Sequence, residues 1–161
     1  ITISVLKGLL TRNIEGINMV NAPFIAKDRG IEVKESKSTE VHEYTSTIKV
    51  TAKTNKGERS VTGSVFGKGD SRIVQIDEFY FEAVLSKDML ILTNNDIPGV
   101  IGRLGSALGS SNINIAGFHL GRIKEGEKAV AVVNIDSQPN NKTIQTLREI
   151  PGILNVSTVT L

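Results

Sequence analysis

The chain has 161 residues, 39% of them apolar and 22% charged, enough for one good core or two small ones. Its formal net charge is only +2, and Lys, Arg, Asp and Glu are interspersed without a basic block, which argues against an electrostatic footprint for nucleic acid or a membrane surface. With no cysteine, neither a disulfide framework nor a thiolate metal site can form.

No run reads as a secretory h-region or a membrane span, so a cytoplasmic protein is expected. The first residue is Ile1, so either something was removed ahead of it or the chain was cut from a longer protein. Apolar Ile3, Leu6, Leu9 and Leu10 suit one face of an opening helix. A second helix is expected within Asn18 to Arg29, with Pro23 near its first turn and Gly30 as its C-terminal stop. Ile31 and Val33 begin an alternating stretch, and Thr45 to Thr54 alternates with β-branched residues, which means strand. Asn55-Lys56-Gly57 signals a hairpin into Glu58 to Phe66, and Gly67-Lys68-Gly69-Asp70 a second turn before a strand at Arg72 to Ile76.

A second cycle starts at Asp88. Met89 to Thr93 reads as a short buried strand, and Asn94 to Gly99 as a polar turn with helix-start chemistry, Asp96 or Ile97 acting as N-cap and Pro98 in the first turn. Val100, Ile101, Leu104, Ala107 and Leu108 form an apolar stripe at helical spacing. Strands at Ile113 to Ile123 and Lys128 to Ile135, a helix marked by Ile144, Leu147 and Ile150, and a last strand from Ile153 to Leu161 complete the order βαββαβ. The expected class is α+β: helices and a largely antiparallel sheet over residues 1–85, then a ferredoxin-like domain over 86–161, hinged near Leu85 to Asp88.

Several motifs lead nowhere. Gly67-Lys68-Gly69-Asp70-Ser71-Arg72 begins like a dinucleotide fingerprint, but its sixth position is Arg and a strand follows where a pyrophosphate would need a helix N-terminus. His42 and His119 lie far apart in sequence and read as surface or interface residues, with His119 mid-strand and opposite in parity to Asn114. Asp77, Glu78 and Glu82 surround a candidate strand and read as a solvated face. No catalytic residue and no cofactor or metal site stand out.

The informative constellation is Asn94, Asp96 and Pro98-Gly99 with Asn114. If the first and second strands of the unit were neighbours, these residues would converge at the start of the first helix. That set suits a free amino acid: Asp96 for its ammonium, exposed N–H groups for its carboxylate, and the amides of Asn94 and Asn114 for its other polar atoms. The same residues also serve as ordinary caps and turn formers. Gly102, Gly105 and Gly109 share a face of that helix, through which either a partner or the domain's own sheet could approach closely.

Ile97-Pro98-Gly99-Val100-Ile101-Gly102-Arg103-Leu104-Gly105, with Ile113 to Phe118, resembles an ACT domain, a fold that binds amino acids at interfaces between copies. Val20-Asn21-Ala22-Pro23, Asp28-Arg29-Gly30 and Ile73-Val74-Gln75-Ile76 resemble the intervening domain of the long-form D-3-phosphoglycerate dehydrogenase family. The resemblance implies the regulatory part of an oxidoreductase that oxidises 3-phosphoglycerate with NAD in serine synthesis, its catalytic domains lying outside this sequence. It implies L-serine or another small amino acid as effector at Asn94, Asp96, Gly99, Val100, Ile101 and Asn114, a homo-oligomer formed through ACT domains, and an anion site at Arg72. Relatives often place His or Tyr where this chain has Asn94, and Phe79 stands where a second basic anion-site residue is expected. Two rivals are the similar regulatory part of a bacterial L-serine dehydratase and an ACT unit that only joins subunits.

Overall fold

The computed structural model describes residues 1–38, 44, 46–67 and 69–161. Internal contacts divide the chain into two compact units, Ile1–Glu43 and Tyr44–Leu161. No helix among the described residues is long and apolar enough to cross a membrane.

The first unit is a helix pair, α1 (Thr2–Thr11) and α2 (Ala22–Asp28). The predicted spacing holds: Leu6 and Leu10 of α1 are buried with Ala22 and Ala26 of α2. α2 is shorter at its start than predicted. Asn18 Oδ1 accepts from the N–H groups of Val20 and Asn21, and Asn21 Oδ1 accepts from that of Asn18, side-chain bonds that hold the backbone in a turn instead of a helix. Gly30, at φ +69°, ends the helix as expected. The alternation at Ile31 and Val33 does not produce a strand; residues 31–38 take no regular structure, because alternation without a neighbouring strand leaves the backbone groups no ladder to join.

The second unit contains two four-stranded antiparallel sheets. The first is a meander of β1 (Thr47–Thr54), β2 (Gly57–Phe66), β3 (Asp70–Ile76) and β4 (Phe79–Val84), and the hairpin expected at Asn55-Lys56 closes with Thr54 opposite Gly57. The expected turn residue Lys68 and the predicted strand start Thr45 lie outside the described residues. The second sheet follows the βαββαβ order with β5 (Asp88–Asn95), α3 (Val100–Ser110), β6 (Ile115–Arg122), β7 (Lys128–Ile135), α4 (Asn141–Arg148) and β8 (Ile153–Thr160), arranged β6-β7-β5-β8.

Strand alternation sends Leu90, Leu92, Ala131, Val133 and Val156 to one face, where they meet Leu104 and Leu108 of α3 and Leu147 of α4. Met89, Val130 and Val132 point the other way and are buried with Ile76, Phe79 and Ala83 of the first sheet. The near-continuous apolar run of β5 and β7 is thus explained by burial on both faces. Asn134, itself only 5% exposed, ties the linker to β7 by donating from Nδ2 to the Val84 carbonyl and to Ser86 Oγ at 2.9 and 2.7 Å.

Candidate functional site

The polar turn between β5 and α3 is built differently from its prediction. The N-cap is Gly99, left-handed at φ +85°, and no side chain caps α3. Asp96 and Ile97 therefore lie ahead of the cap, and Pro98 precedes the helix instead of occupying its first turn. Asp96 is anchored by its own N–H, which donates to the Glu127 carbonyl at 2.7 Å. With a glycine at the cap, the N–H groups of Val100, Ile101 and Gly102 have neither an intrahelical acceptor nor a side-chain cap, so the positive end of α3 opens beside Asp96.

Five of the six predicted residues gather here. Asn94 is 5% exposed, on the helix-facing side of β5 with Leu90 and Leu92, and its Nδ2 donates to the Asn95 carbonyl at 2.8 Å. Asp96 keeps 18% side-chain exposure and pairs with Arg122 Nη1 at 3.0 Å. Gly99 starts the helix, with Val100 buried and Ile101 exposed at 48% behind it.

Asn114 does not join them. β7 separates β5 from β6, and the registers place Asn94 opposite Ala129 but Ile115 opposite Ile135. At roughly 3.3 Å per residue, that is about 20 Å along β7. β5 and β6 are each antiparallel to β7 and so run the same way, which puts the end of β5 and the start of β6 at opposite ends of the sheet; the expected convergence within one chain does not occur. At its own end, Asn114 donates from Nδ2 to Asp136 Oδ2 at 2.8 Å, and its carbonyl accepts from the Asp136 N–H. The parity argument for His119 also changes, because a bulge between Ile115 and Gly117 breaks the alternation from Asn114. His42 lies outside the described residues.

Sequence reasoning missed Arg122 and Asp136. The signal was available: each closes an apolar strand with a charge, and Arg122 shares the face of Phe118 and Leu120.

In the first sheet, Arg72 is held from two sides. Nε and Nη2 donate to Asp70 Oδ2 at 2.9 and 2.6 Å, and Nη1 donates to Glu82 Oε2 at 2.7 Å, while its guanidinium lies 4.7 Å from the centre of the Phe66 ring. Hydrogen bonding to Asp70 is the main cause holding its pKa above the ordinary arginine value, against a lowering by burial, with Glu82 adding to the rise. Its charge is compensated by two carboxylates. Asp77 is likewise engaged, accepting from the Ser60 N–H at 2.8 Å and pairing with Arg59 at 2.7 Å.

Two open clefts are present, the second beside Asp96. One of about 430 Å³ is lined by Glu58, Ser60, Gln75, Asp77, Glu78 and Tyr80, and one of about 340 Å³ includes Phe79, Asn95, Ile123 and Lys128. Neither takes in Asn94, Asp96 or Asn114.

A βαββαβ sheet with both helices on one face and a glycine-opened first helix is the ACT architecture, and residues 89–152 match the ACT domain. Residues 1–77 match the D-3-phosphoglycerate dehydrogenase intervening domain. The chain is similar along its length to D-3-phosphoglycerate dehydrogenases: 35% identical over 162 residues to that of Synechocystis sp., covering 100% of this chain and 29% of that protein. The enzyme of Methanocaldococcus jannaschii is 37% identical over 157 residues, covering 97% of this chain and 30% of that protein. That of Archaeoglobus fulgidus is 34% identical over 164 residues, covering 100% and 31%. This is therefore an ACT-domain protein of the α+β class. With its intervening domain, the chain belongs to the regulatory part of the D-3-phosphoglycerate dehydrogenase family, and it spans about three tenths of the length of the curated relatives it matches.

Proposed function

We propose that this chain is the amino-acid-sensing part of an NAD-dependent D-3-phosphoglycerate dehydrogenase of serine synthesis, acting in the cytoplasm, with L-serine as its feedback effector. The observation that carries the reading is the pairing of intervening and ACT domains in a chain similar from end to end to enzymes of that name. The functional boundary falls between residues 1–85 and 86–161. The hydride chemistry and the NAD belong to domains outside this sequence, and the effector works by binding one arrangement of the subunits better than another.

The effector bridges two copies of the chain. β6 is an edge strand, and no backbone ladder covers its outer side among the described residues. Antiparallel pairing of β6 with its counterpart about a two-fold axis sets Ile115 of one copy opposite Arg122 of the other. The separation of Asn114 from Asp96 within one chain is then what such an interface requires: Asp96 and the α3 N–H groups of Gly99 to Ile101 come from one copy, Asn114 from the next. The names of the relatives favour the dehydrogenase setting over a dehydratase. An anion at Arg72 would have to displace Asp70 and Glu82.

Calorimetric titration with L-serine, with glycine and L-alanine as controls, is expected to give serine-selective binding that Asp96→Ala abolishes while circular dichroism stays unchanged. Full serine affinity in that variant would rule out the site. A normal oligomer with no heat from any amino acid would favour the reading in which the ACT domain only joins subunits, to which Asn94, its amide already bonded to the Asn95 carbonyl, lends some support.

A further inference from the structure

We propose that Arg122 is the carboxylate-binding residue of the effector site and that its ion pair with Asp96 is the template a zwitterionic amino acid opens; the proposal rests on the amino-acid-sensing reading above. Arg122 ends β6, and alternation places it on the helix-facing side with Phe118 and Leu120, both packed against the core under α3 and α4. It reaches Asp96 through a single contact, Nη1 to Oδ2 at 3.0 Å. The other donors of its planar fork have no protein partner among the described residues, and its side chain is 54% exposed. A half-exposed ion pair joined by one contact is weak. It is also incomplete, because a guanidinium is built to hold a carboxylate by two parallel bonds.

An α-amino acid carries its own opposite charges on two groups attached to one carbon. Inserted between the two side chains, its carboxylate takes the open fork of Arg122 and its ammonium takes Asp96, so one single-contact pair becomes two charge-assisted contacts. The neighbouring cations are less suited. Arg103 lies over Gly99, with Nη1 only 2.8 Å from where a Cβ would stand, and it donates from Nη2 to the Pro151 carbonyl at 3.0 Å. Lys124 is paired with Glu127 at 3.3 Å and is a point charge without a fork. Arg122 thus separates amino acids from amines that share the ammonium but lack the carboxylate.

The test compares L-serine with L-serinamide, which keeps the ammonium and replaces the carboxylate by a neutral amide, by calorimetry on the full chain and on Arg122→Gln, Arg122→Lys and Asp96→Ala. Wild type is expected to prefer serine at least tenfold. Arg122→Gln should lose about that factor for serine and change little for serinamide, collapsing the preference, while Arg122→Lys, which keeps the charge, recovers part of it. Serine affinity unchanged in Arg122→Gln overturns the proposal and leaves the sensing reading standing if Asp96→Ala still abolishes binding. Equal losses for serine and serinamide in Arg122→Gln also overturn it, since they mark a structural role. No heat from serine in wild type removes both.

Discussion

Gly121 shows how closely the two sheets of the second unit approach. A Cβ there would stand 2.6 Å from Phe81 Cδ1 and 2.9 Å from the Tyr80 carbonyl oxygen, and the backbone oxygen cannot swing aside. Gly121→Ala should cost about 1–3 kcal/mol, read as a lower denaturant midpoint at unchanged slope; an unchanged midpoint would mean that the sheets slide freely. Gly152 is constrained twice, by φ +97° and by Val100 Cγ2, which lies 2.7 Å from where a Cβ would stand; the close approach keeps the turn before β8 against the start of α3. Asn94, Asp96 and Asn114 were legible as polar residues at strand ends because Asn and Asp break apolar periodicity. Their partners were not, since Arg122 and Asp136 are bonded to residues 26 and 22 positions away.

The glycines of α3 behave in the opposite way to Gly121. Within 4 Å of a Cβ built on Gly102, Gly105 or Gly109 there is nothing, so packing against the domain's own sheet does not account for them. Gly105→Ala should therefore stabilise the isolated chain by about 0.5–1 kcal/mol, through helix propensity and a less flexible unfolded state; a loss of stability that grows with protein concentration would instead show a second copy lying on that face. α4 is capped as a helix should be, the Asn140 side chain accepting from the Thr143 N–H at 2.8 Å. Asn140→Ala is expected to cost about 1 kcal/mol, measurable by thermal unfolding. Elements were read best where local chemistry decides them: the hairpin after β1, the strand β7 and the stripe of α3. The start of α2 and the cap of α3 were misread, because competing Asn side-chain bonds and a left-handed glycine act through geometry that spacing does not display.

At the scale of the whole second unit, the two sheets share a buried layer in which Phe79 meets Met89, Val130 and Val132. Phe79→Ala should cost about 3–5 kcal/mol and lower the unfolding of both sheets together in one transition; two separated transitions would show that each sheet folds alone. Chain order, the α+β class and the βαββαβ cycle followed from the sequence itself, because hydrophobic periodicity and turn chemistry are local and each residue carries its own contribution. What only the tertiary structure decided is which strands are neighbours. Because β5 and β6 both run antiparallel to β7, Asn114 falls at the far end of the sheet from Asn94 and Arg122 comes beside Asp96, while the strand order makes β6 an edge strand. Strand order is a property of contacts distant in sequence, for which periodicity holds no record.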